Sequence, residues 1–352
     1  YGSLVLNHFN YSGLAKVLKC DGKHVFVDVV DETFGQRNSK KNLVCLEKFR
    51  SLSRTSDCSF RHRSLQPLEL PFSLEMLLDM NADKNKSVVL AVAGYSYRDM
   101  LMSWVCRLRR LRVMNFVVCA LDRQTYDFAV LQGLPVFYDP SAPPNISYDD
   151  CHFGTKCFQR VTKVKSRTVL KLLKLGYNVL LSDVDVYWFR DPLPYLHSFG
   201  PAVLVVQSDE YNVTGPINLP RRSNSGFYFA CSDGLTIAAM EKVVKHAANS
   251  NLSEQPSFYD TLCGEGGSNR ISDYRCFEPE TNLTVHFLDR NLFPNGAYLR
   301  LWEKKDVAAS CRRIGCLVLH NNWVNGRLKK LERQVLSGLW EYNNSKRMCL
   351  PS

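Results

Sequence analysis

The chain has 352 residues, 45% of them hydrophobic, and a formal net charge of +11. That size and apolar content exclude a disordered chain and favour one large α/β domain with a smaller attached region. The positive charge admits an anionic partner such as a nucleotide, an acidic polysaccharide, an anionic lipid or a nucleic acid, and the longest apolar runs fall far short of a membrane span.

In chain order, residues 1–87 form a small N-terminal accessory region. It holds a strand candidate over His24–Val30, a helix over residues 73–80 and the polar linker "NADKNKS". Between residues 37 and 63 lie Arg37, Lys40, Lys41, Lys48, Arg50, Arg54, Arg61 and Arg63 against only Glu47 and Asp57. Such a run is a solvated loop face or a site for an acidic glycan. A boundary is placed near Lys86, and residues 88–352 form the main domain.

There the pattern alternates. "SVVLAVAG" (87–94) predicts a strand, and the next segment puts Leu101, Trp104, Val105, Leu108 and Leu111 on one helical face. "NFVVCALD" (115–122) and "GLPVFYD" (133–139) predict two more strands. A long helix through "TKVKSRTVLKLLKL" stops at Gly176, and a fourth strand follows. This order predicts a mostly parallel central sheet flanked by helices.

That fourth strand opens "NVLLSDVDVYWFRDP" (178–192), in which Val179, Leu180 and Leu181 lead to Asp183 and Asp185. The carboxyl ends of parallel strands are where α/β sheets bind ligands. Two carboxylates at i and i+2 can converge on one hard divalent cation that keeps open positions for diphosphate oxygens. Asp-X-Asp is also common in solvated loops, but here apolar strand and aromatic residues flank it. Downstream, in "CLVLHNNWVNGRLKK" (316–330), a second apolar strand delivers His320, and Gly326 and Lys329 follow. Glycine suits close backbone approach and lysine suits phosphate charge. A histidine at a strand end is also a common structural residue.

Composition bears on the compartment as well. Seven Asn-X-Ser/Thr sequons begin at Asn10, Asn85, Asn145, Asn212, Asn251, Asn282 and Asn343. They favour a glycosylated luminal protein and argue against a nucleic-acid partner. Thirteen cysteines, none in a Cys-X-X-Cys pair, favour disulfides over zinc or redox chemistry. The first residue is Tyr1, and the expectation is a fragment whose N-terminal signal or membrane anchor has been removed.

Four segments in this order, "GYNVLLSDVDVYWFRDPLPYL", "SNSGFYFA" (223–230), "EQPSFYDTL" (254–262) and "HNNWVNGRLKKLERQVLSGLW" (320–340), resemble the plant nucleotide-sugar transferases of glycosyltransferase family 77. The similarity covers residues 88–340 and is closest to arabinosyltransferases acting on arabinogalactan-type glycans; it gives residues 1–87 no usable counterpart. It implies a GT-A fold, Mn2+, a UDP-sugar donor carrying a pentose, with arabinofuranose favoured, a cell-wall glycan or glycoprotein acceptor, and retention of anomeric configuration. It also implies a Golgi-luminal catalytic domain of a type II membrane protein.

The resemblance further implies that Asp183, Asp185 and His320 hold the metal, with Asp183 also near the ribose, and that Gly326 and Lys329 meet the diphosphate. In this chain Gly326 lies six residues after His320, a wider spacing than the His-X-X-Gly-X-X-Lys arrangement of related retaining enzymes. Asn224, Ser225 and Gly226 offer a small polar turn for a sugar hydroxyl, or an ordinary turn before a strand. Glu254 and Gln255 stand where related families place Asp-Gln beside the donor sugar. Lys165 is placed to reach the diphosphate, or is a solvated helix lysine. Tyr95 is placed to stack on uracil, or is simply packed. Glu254 and Asp209 are the candidate bases if the reaction inverts. The alternatives are a xylosyl- or galactosyltransferase of the same family, a catalytically inactive glycan-binding protein on the same fold, and a calcium-binding structural protein.

Overall fold

The computed structural model describes residues 14–20, 24–30, 70, 72–143, 151, 154–212 and 222–351. The chain divides into two compact units. The smaller contains an antiparallel hairpin of β1 (Leu14–Cys20) and β2 (His24–Val30). The basic stretch 37–63 lies outside the described residues, as do Asn10 and Asn145.

The larger unit opens with α1 (Leu74–Asn81), capped by the Ser73 hydroxyl, which accepts from Met76 N at 3.2 Å. The chain then alternates through β3 (Ser87–Ala93), α2 (Arg98–Arg110), β4 (Phe116–Ala120), α3 (Arg123–Leu131, whose last turn falls in the smaller unit), β5 (Val136–Tyr138), α4 (Lys156–Lys174) and β6 (Asn178–Ser182). The helix α3 is additional to the sequence expectation. Its N-terminus is held by Asp122, whose Oδ1 accepts from Thr125 N at 2.7 Å. Gly176 ends α4 as expected, with φ +90°.

After β6 come β7 (Val186–Trp188), the short α5 (Leu193–His197), β8 (Val203–Ser208), β9 (Ser223–Ala230), α6 (Gly234–Asn249) and α7 (Glu254–Cys263). The chain continues through β10 (Arg270–Ser272), β11 (Arg275–Glu278), β12 (Leu283–Phe287), α8 (Val307–Ile314), β13 (Val318–His320), α9 (Arg327–Leu336), β14 (Tyr342–Asn343) and β15 (Met348–Cys349).

Nine strands form one mixed sheet in the order β10-β11-β12-β8-β9-β6-β3-β4-β5. The block β6-β3-β4-β5 is parallel, and β9 runs antiparallel to both its neighbours. All residues of β3 and β4 are buried, as expected for strands covered on both faces. Val88, Leu90 and Val92 share one core with Leu77 and Leu78 of α1, Leu172 and Leu173 of α4, Met240 and Val243 of α6, and Phe258 and Leu262 of α7. On the other face, Trp104 of α2 meets Phe116 edge-on. The expected α/β class therefore holds, and β6 ends with Asp183 immediately beyond it.

Among the described residues four disulfides join Cys106 to Cys349, Cys151 to Cys157, Cys263 to Cys276 and Cys311 to Cys316, in line with the expected cystine framework. The first closes a separation of 243 residues and ties β15 to α2. A cross-link of that span restricts the unfolded chain strongly, so replacing Cys106 and Cys349 together by alanine should lower stability by about 3–5 kcal/mol in denaturant unfolding.

Candidate active site

The site begins with backbone geometry. Asp183 N donates to Gly226 O of β9 at 2.7 Å, and Val186 N turns back to Asp183 O at 3.1 Å. Just before the turn, the buried Ser182 hydroxyl accepts from the indoles of Trp104 and Trp188, each at 3.3 Å. Then β7 pairs antiparallel with β13, matching Val186 to His320 and Trp188 to Val318. Asn321 N donates to Asp185 O at 3.0 Å, and the Trp302 indole donates to His320 O at 3.0 Å. Asp185 and His320 are thus placed side by side although 135 residues separate them in the sequence numbering.

Asp183, Asp185 and His320 each offer a ligand atom, all within 4.8 Å of one another. Asp183 Oδ1 is 2.5 Å from Lys165 Nζ of α4, and Asp185 Oδ2 is 2.7 Å from Lys330 Nζ of α9. His320 Nε2 faces Asp185 Oδ1 at 3.3 Å. Burial alone would raise the Asp185 carboxyl, but Lys330 and His320 beside it hold it well below the usual carboxylate range. Burial works against both lysine charges too; Asp183 and Glu254 override it at Lys165, and Asp185 and Tyr97 do so at Lys330, so both are raised.

Gln207 of β8 fixes the histidine. Its amide nitrogen donates to Phe293 O and Pro294 O, each at 3.0 Å, so its oxygen must be the atom 2.8 Å from His320 Nδ1. Nδ1 is therefore the donor, and Nε2 is the nitrogen presented to Asp185 and to a cation. A second partner that sets the ring tautomer in this way is characteristic of metal-ligating histidines. Two carboxylates and one imidazole fit a divalent transition ion better than calcium, which prefers an all-oxygen shell. Gly226 is part of the same space: a Cβ there would lie 2.6 Å from Asp183 Oδ2 and 2.7 Å from His320 Cε1.

Beside this cluster is a second one. Asp209 Oδ1 accepts from Asn224 and Asn322, each at 2.9 Å, and from the Trp323 indole at 3.2 Å, while Oδ2 accepts from Gln255 at 3.1 Å. Glu254 begins α7 and is 1% exposed, with no hydrogen bond to either carboxylate oxygen. Its carboxyl is pushed up to about 7 by burial, with Lys165 and Ser225 opposing and Asp183 adding to the rise. Ser225 is near enough to ease the charge without making a hydrogen bond of ordinary geometry.

The structure thus gathers Asp183, Asp185, His320, Lys165, Gly226 and Glu254 around one space, with Asn224 and Gln255 joined through Asp209. Two expectations change. Lys329 is exposed on α9, and the lysine that reaches the aspartates is Lys330. Asn224, Ser225 and Gly226 lie inside β9 rather than in a turn, where the ladder to β8 slips between Val206 and Gln207. That irregularity turns the backbone of Gly226 toward Asp183. Gly326 precedes α9 with φ +92° and open space at its Cβ position, so the backbone conformation is what demands glycine there. Tyr95 follows β3, its amide donating to Asp122 Oδ2 at 2.9 Å and its ring carrying the Arg98 guanidinium at 4.4 Å. Gln207, Lys330 and the half-buried Tyr97, whose hydroxyl feels Lys330, Asp185 and Asp183, were not among the expected residues.

A family model described as nucleotide-diphospho-sugar transferase matches residues 112–334, which span β4 to α9 and include every residue of both clusters. The chain belongs to this family. Within this transferase family it is 65% identical over 99% of its length to the Arabidopsis thaliana protein named beta-arabinofuranosyltransferase RAY1, of which it spans 66%. It is 24% identical over 73% of its length to an Arabidopsis thaliana protein named UDP-D-xylose:L-fucose alpha-1,3-D-xylosyltransferase 3, covering 67% of that protein. The resemblance to glycosyltransferase family 77 drawn from the four motifs therefore holds. Among solved structures, galactosyltransferase LgtC with donor and acceptor sugar analogues aligns over 73% of this chain and 98% of that one, at 13% identity and a TM-score of 0.41.

Two measurements test this transferase site. Gly226→Ala should weaken divalent-metal binding about tenfold or more in calorimetry while the circular dichroism spectrum is unchanged; unaltered affinity would place the metal elsewhere. Glu254 ordinarily ionises near 4.5 and in the fold near 7. The folded state therefore holds the proton more tightly, and this stabilisation is complete below 4.5 and lost as pH rises through 7. Relative to wild type, Glu254→Gln should gain about 3 kcal/mol of stability over that rise in ligand-free protein. A difference that does not vary with pH would show that Glu254 is not a buried acid.

Proposed function

We propose that this chain transfers a pentose, arabinofuranose, from a UDP-sugar to a cell-wall glycan or glycoprotein acceptor, with retention of configuration and with Mn2+ as cofactor. The observation that carries this reading is the convergence of Asp183, Asp185 and His320 within 4.8 Å, flanked by Lys165 and Lys330. The choice of donor sugar is supported by the 65% identity to RAY1.

Breaking a sugar–phosphate bond requires stabilisation of charge on the departing diphosphate. Asp183, Asp185 and His320 would hold a divalent cation, which would supply part of that stabilisation as a Lewis acid. The rest comes from the chain. Lys165 and Lys330 are ammonium groups kept charged by the aspartates, and they stand ready for phosphate oxygens. Gln207 holds the His320 ring so that Nε2 faces the site. Tyr95, at the carboxyl end of β3, is the stacking surface for uracil on the ring face not covered by Arg98. Asn224, Gln255 and the unpaired carboxyl of Glu254 surround the sugar, where negative charge on Glu254 favours an oxocarbenium-like transition state. With retention, the leaving phosphate oxygen takes the acceptor's proton on the same face, and no separate base is needed.

Asn85, Asn212, Asn251 and Asn282 are exposed, as N-glycosylation requires, and this together with four disulfides supports placement in the Golgi lumen. No helix among the described residues is long and apolar enough to cross a membrane.

The decisive experiment is turnover of UDP-arabinofuranose, UDP-xylose and UDP-galactose, each with Mn2+ and with a chelator. Metal-dependent turnover of the arabinose donor above the others is expected. Asp185→Asn should lower it at least a hundredfold, about 3 kcal/mol in transition-state stabilisation, while the protein still folds. Full activity in that variant would falsify the assignment.

A further inference from the structure

Away from the two aspartates, another group of buried donors has no acceptor among the described residues. Arg222, immediately before β9, is 0% exposed, and its guanidinium lies 4.3 Å over the Phe287 ring. Among the described residues its Nε and Nη1 have no hydrogen-bond partner, nor have the hydroxyls of Ser223 and of Tyr259 on α7. Arg270 of β10 adds a second cation. A Cβ on Gly267 would meet Arg270 Cδ at 2.8 Å and Tyr259 Oη at 2.9 Å, so both side chains converge on the space this glycine leaves. Arg270 has an acid partner, Asp273 at 3.2 Å, whose side chain is 55% exposed. Burial and Arg270 together press the Arg222 guanidinium down to about 10, against the pull of Tyr259, Asp273 and Glu210.

A buried guanidinium with unused donors is unfavourable, and a second arginine nearby makes it more so, unless an anion joins them. The planar fork of arginine suits the paired oxygens of a carboxylate. Position narrows the source. Asp209 N donates to Arg222 O at 2.6 Å, and the Asp209 carboxylate holds Asn224 and Gln255. Gln255 and Tyr259 lie one turn apart on α7. From Gly226, beside Asp183, to Arg222 is four residues along the chain, at most about 13 Å. The donor diphosphate already has Lys165 and Lys330, so these further cations call for a second anion close to the reaction centre.

We propose that Arg222, Arg270 and Tyr259 form a carboxylate site that receives a uronic acid of the acceptor glycan. The identity of the occupant rests on the transferase reading; the anion site itself does not.

The test uses the whole chain with metal chelated and no donor present. Methyl glucuronide, methyl glucoside and inorganic phosphate are titrated in turn and followed by calorimetry. The glucuronide should bind about tenfold or more tightly than the glucoside, since charge-assisted hydrogen bonds distinguish them. Arg222→Gln and Arg270→Gln should each remove that preference, and Tyr259→Phe should weaken it a few-fold. Should Arg222→Gln not fold, the other two variants, which keep the buried guanidinium against Phe287, still decide. Equal binding of the two glycosides overturns the proposal, as does a preference unchanged in Arg270→Gln and Tyr259→Phe. Phosphate binding without glucuronide binding overturns the glycan as occupant. UDP-sugar turnover without glucuronide binding sinks the acceptor site alone, whereas glucuronide binding without turnover of any donor sinks the transferase reading alone.

Discussion

The pairing of β7 with β13 is the constraint on which the site depends. Three residues on each side set His320 opposite Val186 and put Asp185 next to the imidazole. A slip of one residue would turn His320 to the other face, since side chains alternate along a strand. A two-stranded ladder this short is marginal by itself. It is held from several directions: Arg107 of α2 donates to Trp188 O at 2.5 Å and to Phe189 O at 3.2 Å, and the Cys311–Cys316 disulfide fixes the approach to β13. Arg107 and Arg110 also bind Glu341, so the C-terminal segment is joined to the same support. The candidate site residues Asp185 and His320 are therefore positioned by a clamp attached to the main sheet rather than by the sheet alone.

That clamp brings two carboxylates together in a place with little water, and the lysines answer the resulting repulsion. Like charges about 4 Å apart repel by roughly 4 kcal/mol at an effective dielectric of 20, and an ammonium ion at similar distance offsets a term of that size. Lys165 arrives from α4 and Lys330 from α9, each binding one oxygen of a different aspartate. One oxygen of each carboxylate is thus occupied, while Asp183 Oδ2 and Asp185 Oδ1 are directed to Gly226 and His320. The same two ammonium groups that balance the carboxylates are the ones proposed to meet the diphosphate.

Local signals in the sequence were enough for the frame. The apolar run to Ser182, the stop at Gly176 and a helix beginning at about residue 73 follow from periodicity and backbone preference, and all three are in the structure, where Ser73 caps the helix rather than opening it. Periodicity does not select the lysine, because α9 is turned against its own hydrophobic pattern. Leu328, Val335 and Leu336 are 69%, 46% and 79% exposed, while Gln334 is buried and Lys330 faces Asp185. Lys329 and Lys330 differ by about 100° around the helix, and only tertiary contacts choose between them. Asn224, Ser225 and Gly226 look like a turn because small polar residues usually make one. Here the missing side chain at Gly226 is required by Asp183 and His320, which come from distant parts of the chain.

The two carboxyl groups next to the candidate metal ligands are in opposite situations, and this separates their roles. Asp209 accepts four side-chain hydrogen bonds, from Asn224, Asn322, Trp323 and Gln255. Its lone pairs are committed, so taking a proton from an acceptor would cost several of those bonds, and its work is to join β9, α7 and the segment after β13. Trp323 shows what that junction must hold, a bulky residue at φ +57° with Tyr211 packed at 5.1 Å. Glu254 is buried, has no hydrogen bond at either oxygen and ionises near neutral pH. A group left unpaired in that way satisfies its oxygens only when something enters the site, which is what suits it, rather than Asp209, to the role proposed for it beside the donor sugar.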